Sequence, residues 1–263
     1  ILTDGGHKMD HLLQLSDIQG NIVRAYRFPL ARYIMLKVTD PAKARDFLAK
    51  IIPHITTSEF WEEGVKPEAT TNIAFSYSGL KALGLDESCL RQFPLAFAEG
   101  MKERSHLLGD SGDSSPENWD KCWQGDVDIL LTINARTVSK LTDLSEITES
   151  EKAHLNEHHE ALKSLCAVTG GVKSVGMQEA NILFYGGKPT AKEHFGFTDG
   201  IGNPAFSGTD LDIMKIPGRG KQLPDGSWVP LAPGEFILGY PDESQSIPKA
   251  ARPRQLTNNG TFM

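Results

Sequence analysis

The chain has 263 residues, of which 39% are hydrophobic and 23% charged, and its formal net charge is −7. That length accommodates one large domain or two small ones around a sizeable core. The acidic balance argues against nucleic acid and anionic membrane surfaces as partners, and no run of about 18 apolar residues is present to span a bilayer.

Residues 1–15 read as a leader or tail, because Ile1 to Met9 has no apolar core of signal-peptide type. The first strand is expected over Arg32–Val38, where Ile34, Leu36 and Val38 alternate with other residues. A helix should follow at once. Asp40 can cap it, Pro41 suits the first helical position, and Ala44, Phe47, Leu48, Ile51 and Ile52 form one apolar stripe. A second strand is expected over Asn72–Tyr77, a short helix over Gly79–Leu83 closed by Gly84, and a loop over 109–118. Val127–Ile133 reads as a third strand. Glu149–Val168 reads as a helix with Leu155, His159, Leu162 and Cys166 on one face, ended by Gly170-Gly171. Ala180–Tyr185 reads as a fourth strand. The order strand, helix, strand, strand, helix, strand predicts an α+β class, a ferredoxin-like βαββαβ domain with an antiparallel sheet.

After Tyr185 the chain turns rich in glycine and proline. Glu235–Tyr240 reads as a strand opening a second, similar domain, and Thr261-Phe262-Met263 as the start of another, so further polypeptide is expected to follow. The expected division is 1–15 as leader, 16–205 as the first domain, and 206–263 as a linker and the start of the second. Cys89, Cys122 and Cys166 are odd in number and widely spaced, without a CxxC. They are expected to be buried thiols of a reducing compartment, hence cytoplasmic, with secretion after signal-peptide cleavage as the alternative.

His154-Leu155-Asn156-Glu157-His158 matches the H-x-x-E-H metalloprotease pattern, but the pattern fixes only three positions and its surroundings are crowded with charge. It is read as a solvated helix face, and no metal site is assigned. Gly200-Ile201-Gly202-Asn203-Pro204-Ala205 matches G-x-G-x-x-A, yet no buried strand precedes it and Pro204 lacks the N–H that a phosphate-cradling turn needs. The stretch His194-Phe195-Gly196-Phe197-Thr198-Asp199-Gly200-Ile201-Gly202-Asn203-Pro204 stands out. It places one carboxylate in a glycine-punctuated loop between aromatic and aliphatic side chains. Glycines let the backbone approach a flat ligand, and the aromatic residues could dry the carboxylate's surroundings. A plain Asp199-Gly200 turn is the competing reading, and the residues alone leave both open.

Gly196-Phe197-Thr198-Asp199-Gly200 resembles the G-x-x-D-G motif of the dye-decolorizing (DyP-type) haem peroxidases, and the longer F-G-F-x-D-G-I-x-N-P run is more specific still. Asp17-Ile18-Gln19-Gly20-Asn21-Ile22, Asn72-Ile73-Ala74-Phe75, Gly79 through Leu85, Leu108-Gly109-Asp110 and Gly234 through Tyr240 are similar to the same family, in the same order. The resemblance implies two ferredoxin-like domains with haem b held mainly by the second. It also implies Asp199 as the distal acid–base residue, with Phe197, Asp199, Gly200, Ile201 and Gly202 lining the cofactor. The implied partners are hydrogen peroxide and an aromatic or dye electron donor, together with a C-terminal partner segment or a homo-oligomeric copy. The family's proximal His and distal Arg fall beyond Met263, and none of the eight histidines here occupies the proximal position, so this chain alone is expected to bind haem weakly. Trp61, Trp119, Trp123, Trp228 and Tyr240 are candidates for electron relay, each with ordinary packing as the competing reading. A haem-binding or iron-handling protein without turnover is the alternative function.

Overall fold

A computed structural model describes residues 13–62, 65–198, 204–209, 217–252 and 256–262. Four antiparallel strands, β1 (Leu30–Val38), β2 (Ala69–Phe75), β3 (Ile129–Ala135) and β4 (Val172–Asn181), lie in the order β2-β3-β1-β4. Two long helices, α1 (Pro41–Ile51) and α2 (Ala153–Thr169), connect β1 to β2 and β3 to β4. This is the expected βαββαβ unit.

Alternation in β1 and β3 sends Leu30, Ile34, Leu36, Ile129, Leu131 and Ile133 to one face. There they meet Ala44, Phe47 and Ile51 of α1 and Leu155 and Leu162 of α2. The Asp40 carboxylate accepts the Ala42 and Lys43 amides at 3.0 and 3.1 Å and starts α1 as the sequence implied. Gly170 closes α2 at φ 67°. Gly171 is required by proximity, since a Cβ there would lie 2.1 Å from the Ala44 amide nitrogen.

One charged group interrupts this apolar layer. Arg32, 5% exposed on the central strand β1, reaches toward α2. Its guanidinium donates to Glu179 on β4, to Asn156 Oδ1 at 2.8 Å, and meets His159 Nδ1 at 2.8 Å. Lys152 Nζ binds the other Glu179 oxygen at 2.9 Å. A buried guanidinium is tolerable when every side of its fork is used.

Between β2 and β3 the chain makes a helical excursion, with helices at Tyr77–Ala82, Glu87–Leu90, Leu95–Glu103, Ser105–Leu108 and Lys121–Gln124. Its start and end meet at Asp128, which is 0% exposed. The Asp128 carboxylate accepts from the Val38 amide at 2.9 Å, Lys37 Nζ at 3.1 Å and Ser78 Oγ at 3.1 Å. Gly79 sits directly on the Asp128 carbonyl.

A second core joins the two ends of the chain. Leu13 and Ile18 pack with Phe206, Ile237 and Tyr240. The Tyr240 hydroxyl accepts the Gln14 amide at 3.1 Å and donates to Asn259 Oδ1 at 2.8 Å. Asn259 Nδ2 in turn donates to Gln14 Oε1 and Asp17 Oδ2 at 2.8 and 2.7 Å.

Three strand expectations need correction. The fourth strand is Val172–Asn181, earlier than Ala180–Tyr185. Glu235–Tyr240 is not a strand: a 3-10 turn spans Pro233–Glu235 and the chain reverses at Gly239, φ 90°. Thr261 and Phe262 form no strand, and Met263 lies outside the described residues.

A Cβ on residue 79 would stand 1.9 Å from the Asp128 carbonyl oxygen, a backbone atom that cannot swing away. Gly79→Ala should therefore destabilise the protein by about 1–3 kcal/mol, the usual cost of overpacking. Urea unfolding compared with wild type measures it; an unchanged midpoint would show that the excursion re-seats freely.

Candidate active site

The predicted site lies after β4, on a stretch built from two tight turns. Asn181 ends the strand and the Ile182 amide donates to Pro29 O at 2.8 Å. Phe184–Tyr185 then pairs with Lys188–Pro189 through Gly186 and Gly187, whose φ values of 59° and 72° are those of a two-residue hairpin turn that favours glycine.

The second turn runs from Glu193 to Phe197. The Glu193 amide donates to Phe197 O and the Gly196 amide to Glu193 O, both at 2.9 Å. The Glu193 side chain then folds over the turn. Its Oε2 accepts the Phe195 amide at 3.2 Å and its Oε1 accepts the Phe197 amide at 3.1 Å. Gly196 sits at φ 90°, and a Cβ there would meet nothing within 4 Å, so glycine serves the backbone rather than space. Lys192 and Thr198 bridge across the base of the turn.

Of the five predicted cofactor-lining residues the structure describes Phe197, which is 74% exposed; Phe195 beside it is 86% exposed. Asp199, Gly200, Ile201 and Gly202 lie outside the described residues. The chain is anchored again directly afterwards. Ala205 and Phe206 are buried, the Leu231 amide donates to Ala205 O at 2.8 Å, and Phe206 stacks on Phe236 with centroids 5.0 Å apart. The segment carrying Asp199 is thus flanked in sequence on one side by the Glu193 turn and on the other by the buried Phe206, stacked on the half-buried Phe236.

Glu193 escapes a reading of the sequence. The one signal for it is a carboxylate two and four residues ahead of the amides of a glycine turn, the spacing at which acidic side chains close local turns.

The H-x-x-E-H histidines occupy a different surface. His154 Nδ1 pairs with Glu68 at 3.2 Å and His158 Nε2 meets Thr71 Oγ1 at 2.9 Å. His158 is half-buried against β2, so that part of the helix is not the solvated face expected from its charge. The two imidazoles are committed to different partners, and among the described residues no group of three or more His, Cys, Asp or Glu side chains is arranged to hold a metal.

The relay candidates are dispersed. Trp61 stacks on Tyr26 at 5.9 Å and lies under the Arg24 guanidinium at 5.3 Å. Burial pushes the Tyr26 phenol up to about 12. Trp119 donates to Ser114 O, Trp123 to Gln178 Oε1, Tyr240 belongs to the second core, and Trp228 lies in a short hairpin.

Residues 17–172 match the model of the DyP dimeric alpha+beta barrel domain. The chain belongs to the DyP family. A dye-decolorizing peroxidase of Mycena epipterygia is 28% identical over 260 residues, which cover 97% of this chain and 42% of that protein. Peroxidase 2 of Mycetinis scorodonius is 27% identical over 238 residues, covering 89% of this chain and 40% of that one. Among solved structures, an ancestral D-type dye-decolorizing peroxidase superposes with a TM-score of 0.67 at 28% identity, over 94% of this chain and 48% of that chain. A dye-decolorizing peroxidase in complex with 2,6-dimethoxyphenol gives 0.65 at 23% identity, over 90% and 47%, a likeness of fold. This DyP chain spans less than half the length of these relatives. Among the described residues no helix is long and apolar enough to cross a membrane.

Burial holds both His158 and His159 below the ordinary histidine value of 6.5, helped by His54 in the first case and Arg32 in the second. The unfolded chain then binds protons that the folded chain resists. Stability contributed by the neutral rings is fully present above about pH 6.5 and falls as pH drops toward their folded values. A second loss begins below the ordinary glutamate value of 4.5, because the bonds from Lys152 and Arg32 hold Glu179 lower. Urea midpoints measured at about pH 7.5 and 5.5 should differ in wild type, and by less in His158→Gln/His159→Gln. Replacing the motif pair, His154→Ala/His158→Ala, should leave metal content unchanged.

Proposed function

We propose that the full-length protein is a hydrogen-peroxide-dependent haem peroxidase that oxidises dyes and phenolic donors in one-electron steps. This chain supplies its distal acid–base carboxylate, Asp199. The observation that carries the reading is the family match over residues 17–172 followed, at the end of β4, by the glycine-rich Asp199 segment anchored on both flanks.

The described residues fit one wall of a haem site. Phe195 and Phe197 present large, open apolar rings on a preset turn, as a flat apolar macrocycle needs. Three of the histidines, His154, His158 and His159, are already engaged by Glu68, Thr71 and Arg32 on the helix side of the sheet. In this reading a histidine to hold the iron and an arginine beside Asp199 would come from a second, haem-binding domain that begins after about residue 205. A homo-oligomeric copy is the other source of a covering surface. Phe197, Gly200, Ile201 and Gly202 would hold the cofactor, taken to be haem b.

Bound haem would supply the redox chemistry, two-electron reduction of peroxide coupled to one-electron oxidation of the donor. The part of Asp199 is proton transfer. Its carboxylate takes a proton from one peroxide oxygen and returns it to the departing one, so that water leaves. One base acting in both directions suffices. The donor is an aromatic molecule able to lose one electron. The three cysteines are unpaired and only partly buried, less enclosed than the buried thiols expected, and a reducing, cytoplasmic setting is the reading for them.

Asp199→Asn keeps the size and polarity of the side chain but removes the proton acceptor. In the full-length protein it should retain haem while slowing the peroxide step by about 10²–10⁴-fold, with donor oxidation little changed. Stopped-flow mixing with peroxide separates the two. A near wild-type peroxide step would remove Asp199 from the mechanism.

A further inference from the structure

We propose that Asn259-Gly260 is a self-modification site that the second core holds closed: when that core opens, Asn259 deamidates, and the new carboxylate keeps the core from closing again. The inference is independent of the peroxidase reading.

The chemistry is that of an asparagine followed by glycine. The Gly260 amide nitrogen gives up its proton and attacks Asn259 Cγ. A nitrogen–carbon bond forms, the Cγ–Nδ2 bond breaks, and the side-chain nitrogen leaves as ammonia. Water then opens the cyclic imide to aspartate or isoaspartate, with no change of oxidation state. A side chain on the following residue hinders the attack, and glycine has none. Nothing in the fold asks for glycine at 260: a Cβ there would meet no atom within 4 Å, and its φ lies outside the left-handed range. Gly239, by contrast, stands at φ 90° with Asn258 in the way of a Cβ.

In the closed core the Asn259 amide is pinned at both ends, and the residue is 7% exposed. Its Nδ2 donates to Gln14 Oε1 and Asp17 Oδ2 at 2.8 and 2.7 Å, and its Oδ1 accepts the Tyr240 hydroxyl at 2.8 Å. The backbone is fixed as well, with Asn259 N donating to Leu238 O at 3.0 Å and Leu238 N to Gly260 O at 2.9 Å. Cγ cannot swing toward the Gly260 nitrogen without releasing these bonds. The reaction therefore proceeds from the open state, at a rate set by its population. Afterwards both products oppose closure. Aspartate puts a charge where the residue was buried, against the Asp17 carboxylate that had taken an N–H there. Asp17 is at the surface and can turn aside, but that leaves the buried charge with fewer bonds than the amide had. Aspartate adopts the φ of 63° found at residue 259 as asparagine does, so charge and not backbone strain excludes this product. Isoaspartate adds a carbon to the backbone between the two Leu238 bonds and breaks their register. Leu13 and Ile18 at the head of the chain then lose their cover from Phe206, Ile237 and Tyr240.

Full-length protein aged at neutral pH tests this, with peptide mass and isoaspartate content at residue 259 as the readout. Conversion should be slow in the folded protein and rise with urea toward the rate of the unfolded chain. Tyr240→Phe removes one anchor and should raise it about 2–10-fold, the population change for losing one net hydrogen bond. Gly260→Ala should slow conversion several-fold, folded and unfolded alike, and leave the urea midpoint unchanged. Asn259→Asp, made directly, should lose amide-exchange protection at Gln14, Leu238 and residue 259 while β1 and β3 keep theirs. Adding Asp17→Asn places an N–H donor opposite the new carboxylate and should bring that protection back. The rescue keeps the test sound if Asn259→Asp alone unfolds more widely. Conversion as fast in folded protein as in urea, or none in urea, would overturn the site. Full protection in Asn259→Asp, or no recovery on adding Asp17→Asn, would overturn the latch.

Discussion

Asp128 carries more of the architecture than any apolar residue. The sheet needs β3 to lie beside both β1 and β2, yet the chain wanders from Ser76 to Val127 before β3 begins. The buried Asp128 carboxylate binds the end of β1 through the Val38 amide and Lys37, and the first turn of the excursion through Ser78. Its backbone N–H donates to Leu36 O and its carbonyl accepts the Ser76 amide. The point of departure and the point of return are thus one residue. The excursion can be long and loosely packed at its far side, where Leu95, Met101 and Leu107 are exposed, without disturbing the register of the sheet. A buried carboxylate is costly unless fully bonded; here the bonds lie where the sheet most needs a fixed corner.

The sequence is readable where one face of an element is buried. β3 alternates cleanly, β1 does so up to Met35, where its register against β4 shifts, and α1 has both a cap and a stripe. β4 is not readable. It is an edge strand whose residues, Val172 through Asn181, are largely exposed, so no alternation marks it. The apolar run just beyond it, Ile182 to Tyr185, draws the expectation too far along the chain. Of the excursion helices the first, Tyr77–Ala82, is where its pattern places it, while Leu95–Glu103 escapes because Gly100, φ 72°, breaks its period. Glu235–Tyr240 misleads because its apolar side chains fill the second core rather than a sheet. In the candidate segment, residue types point to Asp199. Glu193 is visible only through its bonds to the backbone, which have no compositional signature. His158 shows the opposite hazard: a charge-rich neighbourhood hides a ring turned inward toward Thr71.

The polar arrangement on the helix face and the one at the loop share a logic. At Arg32, three neighbours from two elements use up one buried cation. At Glu193, two amides use up one partly exposed anion. The first locks helix to sheet and the second shapes a segment that little else restrains. The ferredoxin-like unit is thus followed by an exposed turn held by its own backbone bonds together with the Glu193 carboxylate.

The second core has a consequence for how the molecule is made. Gln14 bonds to Tyr240 across 226 positions, and Asn259 reaches back to Asp17 across 242. As the chain leaves the ribosome, Leu13 and Ile18 emerge long before Phe206, Ile237 and Tyr240, which bury them. The four-stranded unit has all its strands by Asn181 and can close early, leaving an uncovered apolar strip at its head. Such long-range closure is slow, and exposed strips of this kind are where nascent chains associate. A chaperone that holds the strip around Leu13 and Ile18 would guard this protein until Tyr240 arrives to cover it.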